Sequence, residues 1–143
     1  MQTPILIVNA DSRLCSALRG ALEDVKNAIM EAPDAESALL TLRESERSMM
    51  VLFHVTLFNN TLTGLDSVAL LGAATHDADL ADQHAFVVIS PTPENVAIVF
   101  GNLLKRIGAP IVAEPVNPEK LRRAIADAER RLPRAGQSAT AFR

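Results

Sequence analysis

PILIVNADSRLCSALRGALEDV, residues 4–25, carries two periodicities in succession. PILIVN (4–9) is an apolar, β-branched run without polar alternation, the pattern of a strand covered on both faces. Asp11 or Ser12 offers an N-cap, after which Leu14, Leu18, Ala21, Leu22 and Val25 recur at helical spacing. A doubly covered strand leading into an amphipathic helix is the opening of a βαβ unit, and the rest of the chain repeats the alternation. A short strand is expected at 28–31, then a helix opened by Asp34 and Glu36 with Ala38, Leu39 and Leu42 inward. MMVLFHV (49–55) is the third strand, and 57–64 reads as a loop. Residues 65–74 read as a helix, and 75–84 as a polar loop. FVVIS (86–90) is the fourth strand, a helix spans 94–107 and stops at Gly108, and 110–113 is the fifth strand. Pro118 stands at the first position of a last helix striped by Leu121, Ala124, Ile125, Ala128 and Leu132. Five such strands and five helices imply an α/β fold, a doubly wound parallel sheet with helices on both faces. The expected domain is 1–132, with 133–143 a small-residue flexible tail or linker.

The 143 residues suit one domain, large enough to bury roughly two-thirds of the surface of the unfolded chain. Hydrophobic residues are 48% and charged residues 22%, a balance that excludes disorder over most of the length. No apolar run approaches the ~18 residues of a membrane span. No basic residue precedes the first apolar run, against a signal peptide. The single cysteine, Cys15, cannot form an internal disulfide, so a cytoplasmic protein is expected, with Cys15 as a small core residue. Residues 1–116 hold 7 basic and 14 acidic residues and residues 117–143 hold 7 and 3, so the basic end reads as a solvated helix face or a docking surface. Without interleaved aromatics or a reading motif it does not support nucleic-acid binding.

Function in such a sheet lies beyond the carboxyl ends of the strands, and there a family resemblance emerges. ILIVNADSRLCSALRGAL, VLFHVTL followed by GLD, FVVIS, and GAPIVAEPVNPEKL resemble, in order and rough spacing, four blocks of the CheY-like receiver domains of two-component response regulators. The resemblance spans 4–132 and implies a flavodoxin-like (βα)5 fold in bacterial signal transduction. It also implies where a receiver holds Mg²⁺ and accepts phosphate. Asn9 and Ala10 stand at its acidic pair, with Asp11 one residue late. His54 stands at the phosphoacceptor aspartate, Ser90 at the Ser/Thr position, and Glu114 and Pro115 at the Lys-Pro pair, whose bond is expected to be cis. Ile111 stands at the aromatic switch position, and the chain has no Tyr or Trp.

These substitutions remove the chemistry. Mg²⁺ requires hard oxygen ligands, which Asn9, Ala10 and His54 do not assemble. Glu114 puts a negative charge where a phosphoryl group needs a cation. The expectation is a pseudo-receiver with no cofactor and no metal, not an enzyme, acting through a protein partner or as a homodimer. The alternative is a sensor of a small ligand or of pH in the altered pocket. A carboxylate beside His54 favours the imidazolium and desolvation the neutral ring. Ser90, His54 and Glu114 together also compose a Ser-His-acid set. Pro91 deprives it of an oxyanion donor, and no G-x-S-x-G is present. His76, Asp77, Asp79, Asp82 and His84 match no EF-hand or zinc spacing and read as an acidic solvated loop.

The expected partner surface is 94–132. Five consecutive apolar residues, Val96 to Phe100, wrap a whole helical circumference, so part of that run must face outward. Val96, Val99, Phe100 and Leu103, rimmed by Arg122 and Arg123, are the expected contacts.

Overall fold

The computed structural model describes residues 3–8, 12–23, 28–58, 61–63, 72–73, 76 and 78–132. Strands β1 (Ile5–Val8), β2 (Ile29–Ala32), β3 (Met50–His54), β6 (Ala85–Ser90) and β7 (Ile111–Ala113) form one sheet in the order β2-β1-β3-β6-β7. Every pairing in it is parallel, from Ile5 opposite Ile29 and Met50 to Val88 opposite Ile111. The helices are α1 (Ser12–Ala21), α2 (Ala35–Glu44), α3 (Ala78–Gln83), α4 (Pro93–Ile107) and α5 (Pro118–Glu129).

Successive strand residues face opposite sides, which sorts the core into two layers. Ile5, Ile7, Met50, Leu52, Val87 and Ile89 pack with Leu18 and Leu22 beside α1 and Leu121, Ala124 and Ala128 of α5. Leu6, Val8, Val51, Phe53, Phe86 and Val88 pack with Ala38 and Leu42 of α2, Leu80 of α3, and Val96, Leu104 and Ile107 of α4. Both faces are covered, which is why the strands read as unbroken apolar runs. This is the doubly wound α/β sheet expected.

Local signals account for the helix ends. Asp34 Oδ1 accepts from Ser37 N (2.8 Å), and Asn117 Oδ1 accepts from Lys120 N (3.0 Å) one residue ahead of Pro118. The Ser37 N–H holds the Asp34 carboxyl below the usual carboxylate range. α4 ends in a Schellman turn, with Gly108 at φ 62° and Ala109 N–H returning to Leu104 O at 2.9 Å. Arg131 donates to Ile107 O over that turn and occupies the space a Gly108 side chain would need. Gly108→Ala is therefore expected to lower stability by about 1–2 kcal/mol from backbone conformation alone, read as a lower urea midpoint at unchanged slope. A midpoint equal to wild type would contradict it.

Two expectations are corrected. The stretch read as a loop at 57–64 contains an antiparallel hairpin, β4 (Thr56–Phe58) with β5 (Thr61–Thr63), Thr56 opposite Thr63 and Phe58 opposite Thr61. Threonine is β-branched and favours strands. The stretch read as an acidic solvated loop holds helix α3, and its apolar member Leu80 and its last histidine are buried. His84, 1% exposed, accepts from Met49 N through Nδ1 (3.0 Å) and donates from Nε2 to Leu42 O (3.2 Å). Desolvation pushes its pKa below the ordinary value, against a smaller opposing pull from Leu42 O. Of the helix expected at 65–74, Gly72 and Ala73 are helical and 64–71 and 74 lie outside the described residues, as does the tail 133–143.

Candidate functional site

β3 and β7 are separated in the sheet only by β6, so their carboxyl ends converge on one side of it. His54 is the last residue of β3, and the next residue, Val55, donates its N–H to Ile89 O at 2.9 Å. Glu114 follows β7 directly, and its N–H donates to Ser90 O at 2.9 Å. These ladder bonds fix both backbones across the end of β6. His54 Nε2 and Glu114 Oε1 meet in a direct polar contact, each side chain about a quarter exposed. Glu114 Oε1 is out of reach of solvent and takes no other partner among the described residues. The Glu114–Pro115 peptide is cis, as the resemblance implied.

The Ser-His-acid set is not assembled. Ser90, fully buried, accepts from Thr92 N at 3.0 Å and lies 3.3 Å from Thr92 Oγ1, a local turn that points its oxygen along its own chain. Asn9, Ala10 and Asp11 lie outside the described residues. No cluster of three potential metal ligands occurs among the described residues. Ile111 is half-buried on β7 and packs on the layer that holds Phe86. Cys15 packs against the core layer beside α1 but is only half-buried, its Sγ donating to Glu31 Oε1 at 3.4 Å. Arg19 Nε reaches the other oxygen of Glu31 at 2.9 Å. The Arg19 hydrogen bond, with a smaller share from Cys15, holds the Glu31 carboxyl below its usual range.

On α4 the surface expectation needs one correction. Val96 is fully buried and belongs to the core beneath the surface. Val99 is 45% exposed, Phe100 and Leu103 are half-buried, and Arg122 and Arg123 are exposed on α5. Ile98, 81% exposed, is the most solvent-facing large apolar side chain among the described residues, and an unbroken apolar run hides this because it conceals the rotational phase of its helix. Between α4, β7 and α5 run two adjoining apolar depressions of about 500 and 430 Å³ that share Pro110, Ile111 and Asp127. Arg13, on the first turn of α1, also borders the His54–Glu114 pair. A search along strand ends passes over it, because it stands on the helix that begins beside one.

No protein-family model matches the sequence, and a search of curated proteins gives no match. Solved structures do match. A signal receiver domain of an HD domain-containing protein from Pseudomonas fluorescens superposes with TM-score 0.66 at 18% identity, over 91% of this chain and 98% of its own. The chemotaxis response regulator CheY4 of Vibrio cholerae gives 0.66 at 15% identity, over 90% and 99%. A response regulator receiver domain protein from Clostridium thermocellum gives 0.65 at 18%, over 91% and 96%. With the strand order above, these likenesses show that the chain has the flavodoxin-like fold of CheY-like receiver domains.

Proposed function

We propose that this chain is a receiver-type signalling module that works without aspartyl phosphorylation and acts through the surface formed by α4, β7 and α5. The observation that carries the reading is the His54–Glu114 pair. By the resemblance, it stands where a receiver would present a phosphoacceptor carboxylate and a lysine: a histidine takes the place of the first and a carboxylate that of the second. The contact gives His54 a partner of its own, and a carboxylate occupies the position from which a lysine would meet a phosphoryl group. A module that has given up phosphotransfer keeps its fold for contacts. Ile98 and Val99 are exposed on α4, two apolar depressions lie between α4, β7 and α5, and Arg122 and Arg123 supply a basic rim on α5. The occupant proposed is a second copy of the chain.

Light scattering on the full chain, with and without acetyl phosphate and Mg²⁺, tests this together with intact mass. The expected result is a dimer in both conditions, no added phosphoryl group, and a monomer for the Ile98→Asp, Val99→Asp variant. A phosphoryl adduct, or a mass that changes with the phosphodonor, would overturn the phosphorylation-independent reading. A wild-type monomer would overturn self-association.

A further inference from the structure

The cleft over the His54–Glu114 pair has a volume of about 410 Å³, within the range of small-metabolite sites and at its lower end. α1 forms one wall with Arg13, Leu14 and Ala17, and the segment after β7 forms the other with Pro115 and Val116. Besides His54, two side chains of opposite charge line it, Arg13 and Glu114. Arg13 is exposed and enters none of the ion pairs among the described residues. Glu114 commits Oε1 to His54 and retains acceptor capacity at Oε2.

The charge pattern selects the ligand. A phosphate would pair with Arg13 but set a second negative charge against Glu114, and a simple cation would meet the reverse conflict. A molecule carrying both charges on neighbouring atoms satisfies both groups, and the apolar side chains of the two walls accept a hydrocarbon substituent. We propose that this cleft binds a small α-amino acid with an apolar side chain. Its carboxylate takes the planar fork of Arg13. Its ammonium donates to Glu114, and its side chain lies against Leu14, Ala17 and Val116. The site is separate from the α4–β7–α5 surface and stands or falls independently of the dimer.

Isothermal titration calorimetry on the full chain tests the assignment with L-leucine, N-acetyl-L-leucine, L-leucine amide and inorganic phosphate. L-leucine is expected to bind, and each blocked derivative to bind at least about tenfold more weakly, because each leaves one charged group unpaired. Arg13→Ala, at an exposed position the fold does not need, is expected to lose at least about tenfold, with partial recovery in Arg13→Lys. Glu114→Gln is expected to lose as much while retaining wild-type circular dichroism. Absence of L-leucine binding at millimolar concentration would overturn the proposal. So would phosphate or N-acetyl-L-leucine binding as tightly as L-leucine, or undiminished binding in Arg13→Ala.

Discussion

His84→Leu is expected to destabilise the protein by about 2–6 kcal/mol, because it strands two buried backbone groups at roughly 1–3 kcal/mol each. The ring bridges the Met49 N–H, just before β3, to the Leu42 carbonyl near the end of α2, and it is almost wholly enclosed. Leucine fills similar space and satisfies neither group. A second consequence concerns pH. Burial holds the folded-state pKa of His84 below the ordinary 6.5. Below about that pH the unfolded chain binds a proton that the folded one refuses, so stability is complete above it and falls as the solution is acidified. The slope reaches at most about 1.4 kcal/mol per pH unit from this group. Urea unfolding from pH 7.5 to 5 should show it in the wild type and show it diminished in His84→Leu. Identical pH profiles for the two proteins would refute the assignment.

Phe86→Ala is expected to cost about 3–5 kcal/mol, a third or more of the stability of an ordinary domain. Phe86 on β6 and Phe53 on β3 are 1% and 2% exposed, their ring centroids 6.4 Å apart and the planes at 87°. This edge-to-face pair sits in the layer beneath α2 and α4, where an emptied ring volume cannot be refilled without moving a helix. Phe86→Leu, which conserves most of the volume, should cost less than about 1.5 kcal/mol. Equal urea midpoints for the two variants would mean that the space collapses and the argument fails.

What was legible in the sequence follows from the covering of the sheet. Strands buried on both faces leave no alternation to misread, so PILIVN, MMVLFHV and FVVIS each marked a strand to within a residue or two. The resemblance then brought His54 and Glu114 to adjoining strand ends, and the structure pairs them. Other features were hidden for physical reasons. A histidine at the end of a polar stretch reads the same in a solvated loop as in a core, and only the carbonyl of Leu42 and the amide of Met49, far away in sequence, decide which. The stretch 57–64 was read as a loop, whereas Thr61 and Thr63 pair in a strand with Phe58 and Thr56, as β-branched residues favour. The apolar run of α4 concealed that Val96 faces in and Ile98 out. Ser90 looked available to His54 until Thr92, two residues on, claimed its oxygen.

The strand order has a consequence for how the molecule breathes. His54 ends β3, the middle strand of five, while Glu114 hangs from β7, which has a single neighbour and lies at the margin of the sheet. Amides of a central strand exchange with solvent only on near-global opening, whereas those of a marginal strand exchange through small local excursions. The His54–Glu114 contact thus bolts a slow-exchanging strand to one expected to exchange faster. Whatever holds the two side chains together is expected to slow deuterium uptake first at the Glu114 amide, which donates to Ser90 O across the margin of the sheet.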